Sequence, residues 1–321
     1  MKDVRIVFMG TPEIAVATLR QIVEEQYSIA AVITTPDKPS GRGLKLHESA
    51  VKQFAVEHKL NVLQPDNLSD ESFISTIKDI SPDLIIVVAF RKIPDVLLEI
   101  PKIGSFNLHA SLLPQYRGAA PINWAIINGE TQTGLTSFLL NNRIDEGKIL
   151  LQETIEIKPS YNASDLYDIM KVKGALLVSD TIKMLVGGNY KTIDQEILSD
   201  KQIILKKAPK IFKDHCRISW NDDIISIQNR IRGLSYIPGA YTELISPNNE
   251  RHTLKILRSE YTLTLHKNSA GSIETDNNKY LRIFSDNGFI DLKEVQLSGK
   301  KIMNVDMLLR GFKLNNHWLA S

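Results

Sequence analysis

Short apolar runs alternate with stretches of helical spacing along the first half of this 321-residue chain, and that alternation restricts its fold more than any other feature. Residues 4–9 (Val-Arg-Ile-Val-Phe-Met) read as a buried strand stopped by Gly10. Thr11 then suits a helix cap and Pro12 the first position of an amphipathic helix over 13–25. Further strands are expected near 29–33, 61–63, 84–89 and 104–108, with helices near 48–58, 70–80 and 119–128. The run from Leu84 to Ala89 is apolar throughout, as a strand covered on both faces of a parallel sheet must be. Such alternation builds a doubly wound α/β layer, whose ligands bind at the carboxyl ends of the strands. Two more runs, 134–141 and 148–157, pair around the turn Asn141-Asn142-Arg143-Ile144-Asp145-Glu146-Gly147. A long helix near 163–186 stops at Gly187-Gly188-Asn189.

At one of these strand ends stands Asn107-Leu108-His109-Ala110-Ser111-Leu112-Leu113-Pro114-Gln115-Tyr116-Arg117-Gly118. Asn107 and His109 are two apart on an extended segment, so their side chains leave on one face. An amide donor beside an imidazole can hold a developing oxyanion, and a carboxylate such as Asp145 can orient the imidazole. No Ser or Cys occupies an activating motif, so the chemistry suggested is acyl transfer without a covalent protein intermediate.

Other segments stay open on residues alone. Gly10-Thr11-Pro12 has a single glycine, too few for a backbone to approach a pyrophosphate, which argues against a nicotinamide cofactor. It is either a tight turn or a substrate-lining loop. The connection from Thr35 to His47 is long for an α/β unit and carries Lys38, Arg42 between two glycines, and Lys45. It reads equally as a phosphate-contacting arm or as a solvated loop. The single cysteine, Cys216, leaves no internal disulfide and no thiolate metal cluster, and no metal is expected. The longest apolar stretch, Leu84 to Phe90, is too short to span a bilayer, and the opening residues lack a signal-peptide core, so the chain reads as cytoplasmic.

Residues 190–208 are polar and Lys-rich and read as a linker between a domain over 1–189 and another over 209–321. Past it, a helix near 222–233 precedes several short strands punctuated by Pro238-Gly239, Ser246-Pro247-Asn248-Asn249 and Asp286-Asn287-Gly288, the pattern of a small β-barrel. From Lys201 onward there are 19 Lys/Arg against 12 Asp/Glu, whereas residues 1–200 carry 20 against 25. A basic C-terminal third suits a polyanionic partner.

The string Asn-x-His-x-Ser-Leu-Leu-Pro-x-Tyr-Arg-Gly with Asp145 downstream resembles the signature of the folate-dependent formyltransferases. Within that group, the Lys38–Lys45 loop, Ala208-Pro209-Lys210-Ile211 and Ile231-Arg232-Gly233-Leu234 with Pro238-Gly239-Ala240-Tyr241 resemble the methionyl-tRNA formyltransferases over nearly the whole chain. A layout shared with formyltransferases acting on amino-sugar nucleotides makes those the alternative. The resemblance implies a Rossmann-like formyltransferase domain followed by a small C-terminal β-barrel of the oligonucleotide-binding type. It implies formyl transfer from 10-formyltetrahydrofolate to the α-amine of initiator methionyl-tRNA by a monomer. Asn107 and protonated His109 would then donate to the tetrahedral oxyanion, and Asp145 would hold His109 charged and relay protons. Ser111, Leu112, Leu113 and Pro114 would form the wall against the folate. Arg42, Lys38 and Lys45 would follow the tRNA acceptor stem, with the barrel binding phosphates. The chain departs from the family's usual pattern at Phe90-Arg91, at Ile14 and at Ser219-Trp220.

Overall fold

The computed structural model describes residues 4–40, 45–198, 204–315 and 317–321. Strands β1 (Arg5–Gly10), β2 (Ser28–Ile33), β3 (Val62–Leu63), β4 (Leu84–Val88), β5 (Gly104–His109), β6 (Gln132–Leu139) and β7 (Ile149–Glu156) form one sheet in the order β7-β6-β5-β4-β1-β2-β3. Pairing from β3 through β5 is parallel, and β6 runs antiparallel to β5. Every residue of β4 is buried, as its unbroken apolar run requires. Phe8, Phe106 and Phe138 are wholly buried in the sheet core. Burying each such side chain contributes about 1.5–3 kcal/mol.

The connecting helices are α1 (Glu13–Glu24), α2 (Ala50–Glu57), α3 (Glu71–Ile80), α4 (Asp95–Leu98), α5 (Pro121–Ile127), α6 (Ala163–Gly187) and α7 (Gln195–Leu198). Three local expectations need correcting. Pro12, not Thr11, is the cap of α1: its backbone is extended and its carbonyl accepts from Ala15 and Val16. The connection over 35–47 is not a plain loop, because Lys38–Ser40 and Lys45–His47 pair antiparallel, with Lys38 opposite His47. Part of the polar stretch read as a linker is ordered too. It carries α7, and Ile193 bridges Ile149.

The chain divides into two compact units that are discontinuous in sequence, unlike the contiguous halves suggested above. The first comprises Met1–Gly118, Thr133–Glu156 and Tyr167–Lys207; the second comprises Ala119–Gln132, Ile157–Leu166 and Ala208–Ser321. Helix α5 falls in the second because it packs on α8 (Ile224–Leu234), where Asn123 Nδ2 donates to the Gly233 carbonyl at 2.7 Å.

In the second unit, β8 (Ala240–Ile245), β9 (Arg251–Leu263), β10 (Ile273–Thr275), β11 (Leu281–Ser285), β12 (Gly288–Leu297) and β13 (Leu319–Ala320) form an antiparallel sheet in the order β10-β11-β12-β9-β8-β13. Two of these strands are long rather than short. β9 pairs with both β8 and β12, and its register with β12 shifts around Arg258. The edges meet at a Ser272–Leu319 bridge, where Ala320 N–H donates to the Gly271 carbonyl at 2.8 Å. Gly271 (φ +79°) is required there, since a Cβ would stand 2.3 Å from the Ala320 oxygen. Trp220 is buried in this core and donates to Thr242 Oγ1, and α9 (Val305–Gly311) covers part of it.

Candidate active site

β5 ends on His109 at the edge where parallel pairing gives way to antiparallel pairing. Asn107 and His109 lie two apart on this strand and share a face. The His109 side chain is only 7 % exposed, and its Nδ1 lies 3.9 Å from Asp145 Oδ2. Its Nε2 is 3.0 Å from the Tyr116 carbonyl. A carbonyl only accepts, so Nε2 carries a hydrogen. Nδ1 therefore faces a second acceptor, the carboxylate, across a gap too long for a direct hydrogen bond. Two facing acceptors are satisfied when a proton or a proton-bearing group lies between them.

Asp145 adopts a left-handed backbone (φ +56°) in the turn after β6. Its Oδ2 accepts from Gly118 N–H at 3.0 Å. Gly147 closes the turn against the end of β6, where a Cβ would stand 1.6 Å from the Leu139 carbonyl oxygen. Asp145 and the Tyr116 carbonyl thus flank His109, with Gly118 N–H holding the carboxylate. Asn107 is half-buried, and among the described residues its side-chain amide makes no hydrogen bond, leaving its N–H donors available.

The segment after β5 is held from beneath. Thr136, opposite His109 in the β5–β6 ladder and fully buried, donates from Oγ1 to the Ser111 carbonyl at 2.6 Å. The same oxygen accepts from Leu113 N–H at 3.1 Å and from Gln152 Nε2 at 3.0 Å, and Gln152 also donates to the Leu113 carbonyl at 2.9 Å. Ser111 turns its hydroxyl onto the Gln115 carbonyl at 2.6 Å, so it shapes the loop. Leu113 packs with Phe138 and Ile149, Pro114 is buried, and Leu112 is half-buried. Ser111 to Pro114 therefore offer a fixed backbone wall beside His109.

Thr136, Gln152, Tyr116 and Gly118 escaped sequence reasoning. Thr136 carries a readable signal, a polar residue in a largely apolar strand that must find partners when buried, whereas Gln152 stands exposed on a mixed strand and carries none. The others act through backbone atoms, which leave no mark in a sequence. Of the basic residues singled out, Lys38 lies on the short hairpin, Lys45 begins its second strand, and Arg42 lies outside the described residues. At the unusual positions, Arg91 donates to the carbonyls of Pro65 and Asp66, and Ile14 N–H donates to the Tyr167 hydroxyl at 2.9 Å. Among the described residues, no group of His, Cys, Asp and Glu could hold a metal ion. No helix there is long and apolar enough to cross a membrane.

Residues 4–182 match the family described as Formyl transferase, and residues 210–313 match Formyl transferase, C-terminal domain. The chain is 46 % identical over 317 residues to a methionyl-tRNA formyltransferase of Bacteroides thetaiotaomicron, covering 98 % of each. It is 48 % identical over 313 residues to the enzyme of that name from Parabacteroides distasonis, covering 97 % of each. Among solved structures, an N-formyltransferase of Helicobacter canadensis in complex with folinic acid and dTDP-3-aminofucose has a TM-score of 0.61 at 22 % identity, with 90 % of this chain and 98 % of that one covered. A sugar 3N-formyl transferase has a TM-score of 0.64 at 23 % identity, with 93 % and 99 % covered. At such identities the likeness speaks for the fold.

Proposed function

This chain belongs to the methionyl-tRNA formyltransferase family, and on that footing we propose that it moves the formyl group of 10-formyltetrahydrofolate onto the α-amine of initiator methionyl-tRNA. The observation that carries the chemistry is the His109 Nδ1–Asp145 Oδ2 pair at 3.9 Å, beside the unengaged Asn107 amide on the same strand face. Asn107 donates to the formyl oxygen as charge develops there. Removing one such donor typically costs about 10²–10³ in rate. His109 and Asp145 take up the proton shed by the attacking amine and return it to the departing folate nitrogen. The Nε2–H already donates to Tyr116, so the working side of the ring is Nδ1. Donation by Nε2 to the oxyanion would require that bond to be exchanged.

The backbone wall from Ser111 to Pro114 supports the folate, and its clamping by Thr136 and Gln152 fits a site that must meet a rigid ring system without reorganising. The segment from Lys38 to Lys45, whose sequence includes Arg42, contacts the acceptor stem. The second unit supplies phosphate contacts through its excess of Lys and Arg. In this reading the protein acts in the cytoplasm, as a monomer and without a metal.

The test is direct. Purified protein supplied with 10-formyltetrahydrofolate and charged initiator tRNA should yield N-formylmethionyl-tRNA, detected by mass spectrometry of the released amino acid. Formylation of an amino-sugar nucleotide in place of the tRNA would overturn the assignment.

A further inference from the structure

We infer that Gln195 is a positioning residue for this reaction, a buried amide that fixes the backbone of the turn carrying Asp145. The residue stands at the start of α7, inside the stretch whose polarity reads as a linker, and is 3 % exposed. Its Nε2 donates to the Asp145 carbonyl at 2.9 Å and to the Gly147 carbonyl at 2.8 Å. Its Oε1 accepts from Arg117 Nε at 3.0 Å and Nη2 at 2.7 Å. Arg117 lies between the two backbone groups that hold the His109–Asp145 pair, the Tyr116 carbonyl on His109 and the Gly118 N–H on Asp145. One side chain therefore ties the segment that orients the imidazole to the turn that presents the carboxylate.

The same stretch is stitched to that segment further along. Lys206 N–H donates to Gln115 Oε1 at 2.8 Å, and the Lys206 carbonyl accepts from Tyr116 N–H at 2.7 Å. The left-handed Asp145 backbone gains its fixity from this network, because a non-glycine residue holds such a conformation only where its surroundings over-determine it. Gln195 touches no reacting atom. It acts through the placement of Asp145 against His109.

The inference rests on the formyl-transfer reading, and the experiment separates the two. Gln195→Glu keeps an oxygen for Arg117 but presents a second oxygen, not a donor, to the two carbonyls; Gln195→Met removes both functions at similar volume. In Gln195→Glu, kcat for methionyl-tRNA formylation should fall about tenfold or more, with both KM values held within about twofold. In an Asp145→Asn background the same change should cost less than about twofold, because both residues act through one carboxylate. Amide exchange at Gly118, whose N–H is bound by Asp145, should quicken in both Gln195 variants while the rest of the sheet stays protected. A folded Gln195→Glu protein with wild-type kcat, equal losses in both backgrounds, or unchanged Gly118 exchange in both variants would overturn the inference. If the wild-type protein formylates no methionyl-tRNA, the functional reading falls, and the Gly118 exchange still decides whether Gln195 sets the Asp145 turn.

Discussion

Replacing Asp145 by Asn should lower kcat/KM for formylation by about two to three orders of magnitude while leaving the fold intact, and the structure supplies the arithmetic. Oδ2 does two jobs at once, accepting from Gly118 N–H at 3.0 Å and facing His109 Nδ1 at 3.9 Å. An Asn oxygen takes over the first and keeps the turn anchored, but carries no charge for the second. A full ion pair at this distance is worth about 4 kcal/mol at an effective dielectric of about 20, which is about three decades in rate if the imidazolium forms on the way to the transition state. The His109 and Asp145 side chains are 7 % and 15 % exposed, so partial screening of the carboxylate sets the lower figure of about two decades. Asp145→Ala should differ, because it also orphans Gly118 N–H, a loss of about 1–3 kcal/mol in stability. Steady-state formylation kinetics and thermal melts of the two variants test the argument together. An Asn variant keeping more than a tenth of wild-type kcat/KM would remove the carboxylate charge from the mechanism. A melt lowered as far as that of the Ala variant would show that the Asn oxygen had not kept the turn, and the electrostatic reasoning would fall with it.

Thr136→Val preserves volume but strips the hydroxyl that Ser111, Leu113 and Gln152 share. Leaving the buried Ser111 carbonyl or Leu113 N–H unpaired costs about 1–3 kcal/mol and loosens the wall, so KM for the folate should rise about tenfold, and an unchanged KM would sink the wall's role. Arg42→Ala should weaken the reaction with methionyl-tRNA and leave folate binding alone, and wild-type tRNA affinity should fall steeply with salt as counterions are released. A flat salt response would defeat the tRNA assignment. Burial pushes the Cys216 thiol above its ordinary range, so the folded protein should react with a disulfide reagent at pH 8 far more slowly than the urea-unfolded chain. The sign carries over to stability: the contribution of a raised thiol is complete below its unfolded value and is lost as pH climbs through the folded one, and Cys216→Ala should flatten that alkaline decline. Rapid labelling of the native protein would contradict the burial.

Legibility in the sequence followed the range of the forces involved. The strand runs and most helix spans of the first unit were readable because periodicity and burial act within a few residues. The pairing of Asn107 with His109 was readable for the same reason, both lying on one short strand. The cap of α1 was misread because proline's fixed φ suits the cap as well as the first helical turn, and Pro12 lies in the extended region there. The 38–47 hairpin was hidden because its pairing joins Lys, Pro, Ser, Leu and His, residues with no alternating pattern. The discontinuous second unit was invisible because α5 is assigned by what it touches, α8, a hundred residues away. Gln195 was lost in a stretch whose polarity resembles solvent exposure, although a glutamine satisfied on all sides is also polar in sequence and buried in fact.

The reversal of β6 explains why the site forms where it does. In a wholly parallel sheet neighbouring strands end at similar levels, and the loops beyond them hang over solvent. Here β6 runs the other way and pairs Thr136 with His109, so its first residues, from Gln132 to Leu135, lie past the end of β5. The chain leaving His109 therefore settles onto a strand that continues beneath it, and Thr136 can reach the Ser111 carbonyl and the Leu113 N–H together. The wall and the imidazole share one support, so a folate resting on the first would be registered against the second without any loop having to close. The support beneath this junction follows from strand direction, and the side chains that use it, Thr136 and Gln152, matter as much to the geometry as the three residues proposed to carry the proton and the charge.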